Sequence, residues 1–195
     1  AQAGPSQYGR NPDNWGNWFG VDNSHPLWHY ILADHYTRRN PHVSLPQSHK
    51  QLVDLSPVFP RSRLFEHYEH PVRGKLAAST CAALIYRDEL LFGPGGKRQA
   101  FTCEPFHNLV LHYELTDAGV SFDGRLAEKS KIHFLASEDN WTRPVLTRTG
   151  PGGALWVVDM YRYLIEHPEY FPKHVRPQLQ PFYRYGDDRG RIYRI

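Results

Sequence analysis

"GPGGALWVVDMYR", Gly150 to Arg162, holds the reading on which the fold turns. Gly150, Pro151, Gly152 and Gly153 tolerate positive φ or preset a turn, so they read as a hairpin loop between "RPVLTR" and "ALWVVDM". The run from Leu155 to Val158 is apolar at every position and too short for a helix, which suits a strand covered on both faces. It ends at Asp159, Tyr161 and Arg162, so the cover should end there too. Near the start of the chain, "GNWFGVD" (Gly16 to Asp22) matches "GALWVVD" (Gly153 to Asp159) at Gly, two bulky apolar positions, Val and Asp.

The separation of the two strings divides into three steps of about 46 residues, close to a four-stranded propeller blade. Bulky pairs fall near each step at Trp18-Phe19, Leu64-Phe65, Leu109-Val110 and Leu155-Trp156. The expectation is a mainly all-β chain, a β-propeller of about four blades. Blades pack face to face and leave strand ends on a rim. Asp159, Tyr161 and Arg162 are therefore expected on a rim beside Arg143, with residues 155–158 buried between blades.

Composition agrees with a turn-rich β protein: 16 Pro, 15 Gly, a single Met and 14% aromatic residues. The net charge of +3 is spread along the chain rather than gathered in a stripe, which argues against nucleic acid as partner. No apolar run approaches the ~20 residues that span a bilayer. With only Cys81 and Cys103, the chain cannot build a C-x-x-C-H haem attachment or a Cys-rich zinc site. "TCAALIY" and "RQAFTCE" flank "RDELLFGPGGK" as a hairpin that sets the two cysteines about equally far from its centre, so either a cross-strand disulfide or two buried thiols fits. Residues 24–39 read as a helix with Ser24 as N-cap and Pro26 in its first turn. "LIEHPEYF" reads as one helical turn, residues 172–189 as a Pro- and charge-rich loop, and "GRIYRI" as a final strand.

Long strings then carry a resemblance over nearly the whole chain: "DNWGNWFGVDNSHPLWHYILADHYTRRNPHV", "SPVFPRSR", "FTCEPFHNLVLHYEL", "FLASEDNWTRPVLTRTGPGGALWVVDMYRYLIEHPEYFP" and "DRGRIYRI". They resemble the β-propeller of membrane-bound dehydrogenases abundant in planctomycetes and verrucomicrobia. That family is similar to the six-bladed glucose and sorbosone dehydrogenases, which bind pyrroloquinoline quinone and calcium. The resemblance implies that residues 1–195 are part of one propeller, its C-terminal half, completed by the remaining half or by companion subunits. It further implies a periplasmic or extracellular enzyme that oxidises a sugar or alcohol and passes electrons through the quinone to a separate c-type cytochrome. The match to only one half leaves open whether the catalytic base lies in this chain. An oxidising compartment favours the Cys81–Cys103 disulfide over the free thiols. The alternative is a non-catalytic propeller that serves as a binding or scaffold subunit of an envelope complex.

Within that frame, "CEPFHNLV" makes His107 the candidate base, because an imidazole takes an alcohol proton near neutral pH without a large shift. Hydrogen bonding of a loop by His107 and Asn108 is the competing reading. Asn108, Arg143 and Arg162 are candidates for holding the cofactor, since guanidinium groups pair with carboxylates of a tricarboxylate quinone; an ion pair of an Arg with Asp159 or Glu138 is the alternative. Glu104 and Asp159, with Asp187 and Asp188 behind them, are candidate oxygen ligands to calcium, although no spacing approaches a dedicated calcium loop and structural salt bridges are the safer reading. His25 and His29 would share a helical face without a third ligand to make zinc. Trp15, Trp18, Trp28, Trp141 and Trp156 serve as wedges between blades or, where exposed, as platforms for sugar rings.

Overall fold

The computed structural model describes residues 6–44, 47–55, 57–62 and 76–195. They form three antiparallel sheets. The first runs β1 (Asn11–Pro12), β2 (Trp18–Gly20), β3 (Trp28–Tyr30) and β4 (His49–Gln51), each strand beside the next. The second runs β5 (Cys81–Tyr86), β6 (Arg98–Glu104), β7 (Leu109–Ala118) and β8 (Ser121–Leu126), with β9 (Leu135–Ala136) also on β7. The third has β10 (Pro144–Thr149), β11 (Leu155–Asp159) and β12 (Arg191–Arg194). The chain is thus mostly β. The "GPGG" turn and the final strand stand where the sequence places them.

Alternation explains the packing. Successive strand residues point to opposite faces, so in β5 Ala83 and Ile85 enter a core with Phe19 of β2 and with Val21 and Leu27 of the connection from β2 to β3. Ala82, Leu84 and Tyr86 enter a second core with Leu155 and Val157 of the third sheet. The middle sheet is covered on both faces. That is why "CAALIY" has no polar position and is buried throughout. β11 differs: Leu155, Val157 and Asp159 are buried, whereas Trp156 and Val158 are only half-buried. The expectation of full burial between blades fails there because the third sheet packs against the middle sheet on one side.

Residues 24–39 are not one helix. Trp28–Tyr30 is a strand held between β2 and β4, and only α1 (Asp34–Thr37) is helical. Burial decides this: His29 is 2% exposed, its Nδ1 lies 2.9 Å from Ser121 Oγ, and its ring packs against Phe19 and Phe122. His25 instead pairs with Asp22 at 2.8 Å, so His25 and His29 do not share a helical face. Residues 172–189 are not simply loop either. They hold α2 (Arg176–Leu179) and a 3₁₀ turn over Gln180–Arg184, each with a proline in its first turn, where the missing N–H is harmless. Phe171, Val175 and Leu179 bury a small core with Leu164. The helical turn expected in "LIEHPEYF" is a 3₁₀ turn over Pro168–Tyr170.

The even spacing fails as well. Trp18-Phe19 and Leu155-Trp156 both lie in second strands, but Leu109-Val110 opens a third strand, and Leu64-Phe65 lies outside the described residues. Three sheets occupy the described residues where four were expected.

Gly9 fastens the first segment to β5. Its φ is +94°, and an added Cβ would stand 2.4 Å from Ala82 Cα, at a bulge where Ala82 N–H donates to Tyr8 O. Gly9→Ala should therefore destabilise the protein by ~3 kcal/mol or more, measured by urea unfolding. A loss below about 1 kcal/mol would mean that this contact is not maintained in solution.

Candidate functional site

β6 ends at Glu104, and Pro105 turns the chain into the loop that carries His107 and Asn108. Glu104 is fully buried and its two oxygens are divided between two segments. Oε1 accepts from the N–H groups of Ala78 and Ser79 (3.0 Å each) and from Ser79 Oγ at 3.3 Å. Oε2 accepts from the His107 N–H (2.7 Å) and from His107 Nδ1 (3.0 Å). Burial pushes the Glu104 pKa up, but the His107 ring and these donors outweigh it, and the net displacement is downward. An ionised carboxylate only accepts, so Nδ1 is the donor and Nε2 faces away from Glu104. Nε2 is buried and has no hydrogen-bond partner among the described residues. A carboxylate thus orients the imidazole and leaves its far nitrogen unpaired, a geometry that base-and-orienter pairs in acid–base catalysis share.

Asn108 adopts φ +61°, a region that asparagine tolerates. Its amide accepts from Ser62 Oγ and donates to the carbonyls of Asn140 and Thr142. Arg143 is 3% exposed and spreads its guanidinium over main-chain carbonyls: Nε to Arg162 O (2.9 Å), Nη1 to Pro105 O (3.0 Å) and Phe106 O (3.3 Å), Nη2 to Tyr163 O (2.8 Å). Arg162 donates to the carbonyls of Met160, Tyr161 and Gly186. The arginines and the His107 loop do come together, as a knot of strand ends in which Arg143 is buried and Arg162 half-buried.

Asp159 is 1% exposed, so the charge at the end of the opening strand is not on an open rim. Its Oδ1 accepts from the N–H groups of Arg143 (2.7 Å) and Tyr161 (2.8 Å), and its Oδ2 from the Tyr193 hydroxyl (3.2 Å). Arg143 is its neighbour as expected, through the backbone. Three equivalent acids emerge. Asp22 follows β2, Glu104 ends β6 and Asp159 ends β11, and each accepts backbone N–H groups from the turn after it. "GNWFGVD" and "GALWVVD" signal two of these; "FTCE" escapes the match because Glu replaces Asp at uneven spacing.

The resemblance implies two bound groups, calcium and a quinone. The oxygens of Glu104 and Asp159 are taken up by N–H and O–H donors that a cation would have to displace, so they do not fit calcium. Among the described residues no three His, Cys, Asp or Glu side chains gather where a metal ion could sit. Asn108, Arg143 and Arg162 hold main-chain carbonyls, so their donors do not fit the carboxylates of a quinone.

Cys81 and Cys103 are directly opposed in the β5–β6 register, as the hairpin symmetry requires. Both are buried free thiols in this structure, with the Tyr8 hydroxyl 3.2 Å from Cys81 Sγ, and burial pushes the Cys103 thiol up. The structure thus holds the second of the two readings, buried free thiols, while the facing register leaves the pair placed for the disulfide that the resemblance implies. Non-reducing peptide mapping of protein recovered from an oxidising compartment should show the linked pair. Alkylation of both thiols in unreduced protein would rule it out.

Among the described residues no helix is long and apolar enough to cross a membrane. No curated protein and no solved structure matches the chain. A family match extends over the same residues as the three sheets and the knot of strand ends: residues 1–195 fit the family described as Domain of unknown function (DUF7133), and the chain belongs to that family.

Proposed function

We propose that the three sheets are blades of a β-propeller and that the chain is part of a sugar or alcohol dehydrogenase of the cell envelope, with His107 as its proton acceptor. Serial packing of up-and-down sheets, with the middle one covered on both faces, supports the propeller. The observation that carries the activity is the Glu104–His107 pair with the buried Nε2 unpaired among the described residues. A buried nitrogen without a partner costs about 1–3 kcal/mol, and His107 shares that state with His49 and His133; what sets it apart is the buried carboxylate that holds its other ring nitrogen. Oxidation of an alcohol to a carbonyl removes a proton and a hydride; the hydroxyl proton passes to Nε2, and Glu104 stabilises the imidazolium. In the family that the chain resembles, a quinone would supply the two-electron acceptor and a c-type cytochrome would take the electrons from it. The side chains considered above do not supply contacts for that quinone.

The test is dye reduction by the protein supplied with pyrroloquinoline quinone and calcium, over a panel of aldoses and polyols. Turnover that falls at least ~100-fold in His107→Gln with retained thermal stability supports the reading. No turnover on any member, or full turnover in the variant, overturns it. The second reading, a non-catalytic scaffold subunit, is favoured by the commitment of Asn108, Arg143, Arg162 and Asp159 to the backbone. On that reading His107→Gln lowers stability and nothing else.

A further inference from the structure

Apart from the knot of strand ends, the described surface offers a cleft of about 330 Å³ where the segment before β12 folds over Trp141. Its walls are Trp141 and Tyr185, and its edges carry Arg184, Asp187, Asp188 and Arg189. We propose that this cleft is a saccharide-binding site, separate from His107 and independent of the dehydrogenase reading.

The walls are held in place. Gly186 has φ +90°, and a Cβ there would stand 2.4 Å from Tyr161 O, so only glycine lets the loop seat against the end of β11. The Arg162 guanidinium clamps the same loop by donating to Gly186 O. Turn bonds from Tyr185 N–H to Phe182 O, Asp187 N–H to Arg184 O and Arg189 N–H to Gly186 O close it. Trp141 is braced by Tyr163 at 5.5 Å and Tyr161 at 5.8 Å between ring centroids, and Tyr185 stands 6.3 Å from it at a 35° tilt. Two neighbouring aromatic rings therefore line a pre-formed recess within the size range of small-molecule sites.

Charge selects the ligand. Arg184 pairs with Asp187 at 2.6 Å and Arg189 with Asp188 at 3.7 Å, so the edge is formally neutral and favours neither an anion nor a cation. It presents guanidinium donors beside carboxylate acceptors, the mixture that satisfies vicinal hydroxyls, each of which donates and accepts. A pyranose adds an apolar C–H face that packs on an aromatic ring. A neutral mono- or disaccharide unit of a longer glycan meets both requirements.

The experiment is a titration of the protein with soluble cello-, xylo-, manno- and laminari-oligosaccharides, followed by tryptophan fluorescence and calorimetry. At least one series should bind with an affinity that changes little with salt. Trp141→Ala should weaken it by about tenfold or more. The double variant Asp188→Asn with Arg189→Gln, at exposed positions of little consequence for folding, should weaken it several-fold. His107→Gln should bind as tightly as the unaltered protein, which separates this site from the proposed catalytic one. No binding in any series, or binding that persists in both cleft variants, overturns the proposal.

Discussion

Glu104→Gln should lower the stability of the protein by ~3 kcal/mol and its Tm by about 6–12 °C at neutral pH. The amide fills nearly the same space but turns one acceptor into a donor, so its NH₂ must face either the N–H groups of Ala78 and Ser79 or the N–H and ring of His107. The sign of the pH dependence follows from the Glu104 pKa, which lies below its ordinary value of 4.5 in the folded protein. A depressed carboxylate adds stability that is full above the unfolded-state value and is lost as pH falls through the folded one. The gap between the unaltered protein and Glu104→Gln should thus be constant from neutrality down to about pH 5 and then close as acid protonates Glu104. Parallel thermal melts across that range check it. A gap under about 1 kcal/mol at pH 7, or one that widens in acid, would contradict the assignment of Glu104 as an ionised anchor.

The second large effect is expected at Arg143. Arg143→Met keeps the apolar stem but removes every guanidinium donor, leaving the carbonyls of Pro105, Phe106, Arg162 and Tyr163 without the bonds that now tie three loops together. A loss of ~3–5 kcal/mol is expected in urea unfolding. Arg143→Lys should recover less than half of it, because an ammonium cannot match a planar fork spread over several carbonyls. The Asp159 bond to the Arg143 backbone N–H survives either change, so the loss reports on the side chain alone. If Arg143 instead served a bound quinone, the variants would unfold as the unaltered protein does without cofactor and diverge only when it is added.

Much of the local structure was legible in the sequence. "GPGG" makes its turn because its residues tolerate or preset the backbone angles that a reversal needs. β5 and β6 pair with Cys81 opposite Cys103 because hairpin register follows from the centre of the turn, and "GRIYRI" ends the chain as a strand. His107, Asn108 and Arg143 could be singled out because a polar residue beside a β-like run must find a partner. What each partner is depended on residues far away in the chain. Tertiary structure alone decided that β5, and not β11, is covered on both faces, since the number of sheets packed on a strand is not written in that strand. It turned Trp28–Tyr30 into a strand, because His29 meets Ser121 and Phe122 from the second sheet, a contact that local helix signals do not contain. It also drew Asp22, Glu104 and Asp159 to equivalent strand ends despite their uneven spacing. Chain segments of different length can bring the same carboxylate to the same turn, and a buried carboxylate persists only where folding supplies the N–H groups that replace water.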